Sequence, residues 1–187
     1  MKITSITLLL SALFLLSCVD IPISPVKNNN HSYPLIKLSP KAGVSIETEF
    51  SVTKTIDGDK GGMLKIKESY VGEEGQAVKI DVKLKIRKHS YSGDVDITMT
   101  VNAVYATIKF TPHMVFNTPV ELKASFKGID LGELYITKGG YDFVFIDDNG
   151  NIEMVEHDGV DVKEWKGEIK LHKNAYLNHF SRYAFTR

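Results

Sequence analysis

His179 and Ser181 stand two residues apart near the end of the chain, in the segment NHFSRYAF at 178–185, and the Phe180–Ser181 peptide bond lies between them. These residue types at this spacing suffice for an attack of the chain on itself. A neutral His179 imidazole takes the proton of the Ser181 hydroxyl, a poor nucleophile without such a base. The oxygen adds to the Phe180 carbonyl, the amide becomes an ester on Ser181, and water cleaves that ester. The competing reading is a buried polar pair in a closing strand that does no chemistry. Residues two apart in a strand project to one face. His179 and Ser181 are therefore expected to share a side with Leu177, Tyr183 and Phe185, leaving Tyr176, Phe180 and Ala184 on the other. A strand apolar on both faces is expected at the centre of a sheet, where each polar group needs a partner. Cleavage also requires core packing around Phe180 and Tyr183 to twist the bond, and it would release only residues 181–187, still held in the sheet. Packing is therefore the preferred reading and autoproteolysis the alternative.

Other candidate sites are sparser. Lys79, Lys83, Lys85 and Arg87, with Lys65 and Lys67, form a basic stripe suited to an anionic polymer or lipid head groups. The competing reading is the wet face of a strand that also discourages edge-to-edge aggregation. Asp147, Asn149 and Asn151 alternate as in a calcium loop. The glycine comes too early, however, and Asp158 stands where a closing glutamate belongs, so Asn149 and Gly150 read as a hairpin turn. Asp57 and Asp59 read as turn residues. His31, His89, His157 and His172 lack ligand-like spacing, and the sequence implies neither a metal nor a cofactor. Trp165 is expected to anchor the core.

The elements that must position these residues are strands. From 77 to 87, Val78, Ile80, Val82, Leu84 and Ile86 alternate with Lys79, Asp81, Lys83, Lys85 and Arg87, the two-residue period of a half-buried strand. Similar runs occur at 46–55, 63–67, 95–101, 106–110, 120–126, 141–146, 152–156, 167–172 and 176–186. Turn signals separate them at 57–62, 72–75, Pro112, 138–140 and 147–151. No amphipathic helix is evident. The fold class is all-β: a single antiparallel β-sandwich of about ten strands over residues 44–187. A domain of that size buries roughly 68–70% of the surface its unfolded chain exposes, so it needs no disulfide.

Residues 1–17 read as a signal peptide, with Lys2 followed by an apolar run from Ile3 to Leu16. The run is too short for a comfortable membrane span. The stretch LLSC at 15–18 resembles a bacterial lipobox, which implies lipidation of Cys18; an ordinary secretory signal and a buried helix are the alternatives. Cys18 is the only cysteine, so no internal disulfide can form. Mature lipoproteins of this kind carry two or three acyl chains, enough for stable attachment. Val19 after the cysteine resembles cargo sorted to an outer membrane, with Asp20 a contrary sign. Residues 18–43 read as the lipidated cysteine and a flexible tether, broken by Pro22, Pro25, Pro34 and Pro40, with a reach on the order of 25–30 Å. Basic and acidic side chains balance at 23 each, and neither that balance nor export suits nucleic acid as a partner.

Three segments resemble a known family. Pro112, His113, Phe116, Pro119 and Leu122 resemble the Pro-His-Gly-x-x-Phe-x-x-Pro-x-x-Leu signature of the ZU-five domain of ankyrins, netrin receptors and zonula occludens proteins, with one residue fewer between the histidine and the phenylalanine. The segment KGGMLKI at 60–66 resembles that domain's opening turn and strand, and HFSRYA at 179–184 its closing strand. The likeness spans roughly residues 46–187. It departs at Met114, which stands where the family has glycine and is poorly suited to a positive φ. The resemblance implies that Pro119 starts a strand, that Phe116 and Leu122 enter the core, and that His113 is a hydrogen-bonded turn residue. It also implies two precedents. Related domains in death-domain signalling proteins cleave between Phe and Ser of a matching His-Phe-Ser, whereas ankyrins keep the fold without relying on cleavage.

The sequence is thus read as a lipid-anchored cell-envelope protein, a non-enzymatic binding or structural module held to the membrane through Cys18, in the outer membrane where the source has one. Its partner is another envelope protein or a glycan. The alternatives are a self-processing domain using His179 and Ser181, and a surface lipoprotein that binds a polyanion.

Overall fold

The alternation at 77–87 becomes a strand whose apolar positions, Val78, Ile80, Val82, Leu84 and Ile86, are all buried, while its lysines face outward. The same rule builds the other strands of the computed structural model, which describes residues 27–28, 31–32, 34–43, 49–129, 140–163 and 166–187. The leader, Cys18, Pro22, Pro25 and Trp165 lie outside the described residues, together with the readings attached to them.

The strands are β1 (Lys27–Asn28), β2 (His31–Ser32), β3 (Glu49–Asp57), β4 (Gly62–Val71), β5 (Ala77–Ile86), β6 (Asp94–Asn102), β7 (Thr107–Thr111), β8 (Val115–Lys127), β9 (Asp142–Ile146), β10 (Ile152–Met154), β11 (Val160–Lys163), β12 (Glu168–Leu171), β13 (Ala175–His179) and β14 (Arg182–Thr186). Among the described residues β1 and β2 pair only with each other. The rest form two six-stranded antiparallel sheets that enclose the main core, with a smaller cluster of Val144, Ile146 and Ala184 covered by Leu35 and Ile152. The first runs β10-β9-β14-β7-β6-β3. The second runs β11-β12-β8-β5-β4, with β13 also paired to β8. The all-β sandwich read from the sequence is the observed fold, with β11, β1 and β2 in addition to the expected strands.

The expected closing strand at 176–186 is instead two strands in different sheets. β13 pairs with β8 in the second sheet, and β14 inserts between β7 and β9 in the first. The crossing falls at Phe180 and Ser181. The bend resets the side-chain parity, so Phe180 is buried in the inter-sheet core with Leu177, Tyr183 and Phe185 rather than on the face opposite to them. The Phe180 amide donates to the Met114 carbonyl and the Phe110 amide to the Ser181 carbonyl, both at 2.8 Å. One hydrogen bond to each sheet thus pins the bend.

The tether reading fails for residues 34–43. Ile36, Leu38 and Ser39 are buried. Amides of this strap donate to Phe185, Val104, Gly128 and Val71 carbonyls at 2.9–3.1 Å, tying it to both sheets. The Tyr70 hydroxyl lies 3.0 Å from the Ser39 carbonyl, and burial pushes its pKa up to about 12. Apolar residues between Pro34 and Pro40 thus outweigh the prolines that mark the segment as linker.

The signature region of β8 behaves partly as expected. Phe116 and Leu122 are buried. Pro119 does not start the strand but sits within it, where residues 116–119 oppose the single residue Asn178 between the Val120–Leu177 and Val115–His179 pairs. A bulge is where a strand tolerates proline, because the missing N–H has no ladder bond to make. Met114 adopts no left-handed φ, His89 being the sole non-glycine residue with positive φ among the described residues. Met114 packs against the core instead.

Candidate functional site

At the crossing, His179 and Ser181 do not meet as base and nucleophile. Among the described residues the Ser181 hydroxyl makes no hydrogen bond, and His179 Nδ1 is buried without a partner. The His179 ring stands edge-on to Phe145, with centroids 4.7 Å apart, and lines a recess with Phe145, Tyr183 and Glu156. Ser181 lines a different recess, with Lys109, His113 and Asp148. No donor reaches the Phe180 carbonyl oxygen among the described residues, so nothing stands ready to stabilise charge developing there. What the tripeptide contributes visibly is packing. The Phe180 ring stacks on Phe110 at 4.9 Å and meets Phe116 edge-on at 4.6 Å. The His113 ring, 6.0 Å from that of His179, is exposed and makes no hydrogen bond among the described residues, contrary to the expected turn role.

The basic stripe gains substance from the fold. β5 lies between β4 and β8, so its lysines do not guard an edge; β4 is the edge strand. Register places Lys65, Lys83 and Lys123 side by side on β4, β5 and β8, and Lys79 beside Lys127. Like charges directly opposite one another destabilise a sheet, yet three such pairs stand on this face. The outer face is concave and forms a groove of about 780 Å³, lined by Lys67, Lys79, Lys83, Lys123, Lys127, Lys170 and Lys173 against Glu68, Asp81 and Glu168. Seven lysines against three carboxylates is a local excess in a chain of zero formal net charge.

Part of this charge is neutralised. Lys65 pairs with Asp81 at 3.4 Å, Lys127 with Glu168 at 3.5 Å, and Lys170 with Asp161 at 3.6 Å. Lys85 and Arg87 both converge on Glu121. Burial pushes the Glu121 carboxyl up, but hydrogen bonds from Arg87 and Lys85 outweigh it and hold the group below its ordinary value. Asp161 is held low mainly by the hydrogen bond from His172. Lys67, Lys79, Lys83, Lys123 and Lys173 have no ion-pair partner among the described residues. Lys123, Lys127, Lys170 and Lys173 went unrecognised in the sequence. Lys123 and Lys127, four residues apart on the outward side of an alternating run, are a signal for the first two, but only the strand order joins them to β5.

The remaining acidic candidates are turns. Asp147 accepts from the Asn151 amide at 2.6 Å and from its side chain at 2.7 Å, closing the β9–β10 hairpin. Asp57 holds the 57–61 turn through the Asp59 amide and Lys60. Comparison with known proteins finds no matching family model, no matching curated protein and no matching solved structure.

Proposed function

We propose that the protein is a lipid-anchored cell-envelope binding module that holds an anionic partner on the concave outer face of β4, β5, β8 and β12. The observation that carries this reading is the groove of seven lysines, five of them without an ion pair among the described residues, on the face of a sheet whose other side is core. The ZU-five-like motifs fit a module that works by contact. Retention of the full mature chain on a polyaspartate resin tests the reading: it should fall steeply with salt and be lost on Lys83→Gln with Lys123→Gln. Retention indifferent to both salt and the substitutions overturns it. The anchor is tested separately, since Cys18→Ala should move the protein from the detergent phase to the aqueous phase.

Self-processing is a second reading, favoured by His179 Nδ1, which is buried with no hydrogen-bond partner among the described residues. It requires the Ser181 hydroxyl to swing to His179 and the bond to break ahead of Ser181. Intact-mass measurement after prolonged incubation distinguishes the two: binding alone leaves the chain whole, and self-processing yields a species ending at Phe180 that Ser181→Ala abolishes.

A further inference from the structure

We infer that the groove takes a linear acidic polysaccharide laid across the strands, with Lys83 and Lys123, neighbours on β5 and β8, gripping successive charged sugars. The inference rests on the reading of this face as an anion-binding surface and adds the class of partner and its direction. Neighbouring strands lie about 4.7–4.9 Å apart, close to the length of one pyranose unit, so Lys83 and Lys123 present one ammonium group to each of two successive sugars. Lys173 lines the groove beyond Lys123 and extends the grip. Along β5 the pattern differs, because Asp81 stands between Lys79 and Lys83. A polyanion running with the strand meets a carboxylate, whereas one crossing from Lys83 to Lys123 does not.

The neutral groups of the groove fit the same ligand. Ser69 and Ser125 stand among the lysines, where they can exchange hydrogen bonds with sugar hydroxyls. Among the described residues His172 is the one aromatic ring lining the groove, so those residues offer no stacking platform of the kind single-stranded nucleic acid uses, and their charge does the selecting. Concavity suits a narrow chain and opposes a planar bilayer, whose head groups would touch the rim before the floor.

Calorimetry on the full mature chain tests the inference with defined probes: hexasaccharides and disaccharides of polygalacturonate and of heparin, maltohexaose, and vesicles of phosphatidylglycerol and phosphatidylcholine in equal parts. The acidic hexasaccharides should bind, and bind more weakly as salt rises. The disaccharides should bind more weakly than the hexasaccharides, and maltohexaose not at all. Lys83→Gln with Lys123→Gln should weaken hexasaccharide binding about tenfold or more. Lys54→Gln with Lys109→Gln, on the opposite sheet, should leave it unchanged. Neither Lys83 nor Lys123 has an ion pair among the described residues, and the two oppose each other as like charges, so the double variant should melt at or above the wild-type temperature; Lys83→Gln alone is a second, milder probe. Hexasaccharide binding insensitive to Lys83 and Lys123 overturns the inference. Vesicle binding without hexasaccharide binding overturns it while leaving the anion-binding reading intact. Failure of every anionic probe, polyaspartate included, removes both.

Discussion

The Tyr183 hydroxyl donates a hydrogen bond to the His179 carbonyl, 2.5 Å away, and so closes the bend by which the chain leaves one sheet for the other. The phenol is buried among Phe110, Phe143 and Phe145, and burial raises its pKa. The bond links the last residue of β13 to the second residue of β14. Tyr183→Phe keeps the ring and removes only this bond, so it should cost about 1 kcal/mol in urea unfolding. A variant as stable as the wild type would show that the bond is not what holds the bend.

Phe180 and Ser181 should separate cleanly by substitution. Phe180 is fully buried between Phe110 and Phe116, and Phe180→Ala should cost about 3–5 kcal/mol. Ser181→Ala removes a hydroxyl with no hydrogen bond and should stay within about 0.5 kcal/mol of wild type. Equal costs for the two would contradict the packing role described for the tripeptide.

Residues 34–43 should act as part of the domain. Leu38 is buried and its amide bonds the Val104 carbonyl at 2.9 Å. Leu38→Ala should lower stability by about 2–5 kcal/mol, as measured by thermal or urea unfolding. A flexible linker would tolerate the change without effect.

Glu121 sets an acid dependence. Its folded pKa lies below the ordinary 4.5, so its contribution is fully present above pH 4.5 and is lost as pH falls through the lower folded value. Glu121→Gln should cost about 1 kcal/mol at neutral pH. The gap from wild type should hold down to pH 4.5 and close below it. A gap that persists in stronger acid would mean that the substitution acts through something other than charge.

Local alternation made most of the strands legible. Val78 to Ile86 announced a buried face, and Asn149 with Gly150 announced a hairpin, because both signals lie within a few residues. The strap escaped because Pro34 and Pro40 dominate its composition, while Ile36 and Leu38 find their partners far away in β14 and beside β7. The closing strand escaped for a similar reason. Nothing within residues 176–186 says that the chain changes sheets; the Met114 and Phe110 partners of the bend decide it.

The candidate sites divide along the same line. The sequence by itself determined the residue types, the alternating faces and the presence of a histidine two places before a serine. Tertiary structure alone decided that His179 and Ser181 line separate recesses and that Lys83 stands between Lys65 and Lys123. The physical reason is that side-chain parity is a local property of the backbone, whereas strand order and register are settled by the burial of both sheets at once. A tripeptide can therefore hold the residues of a reaction without their geometry, and a basic strand acquires a groove only when its neighbours are known.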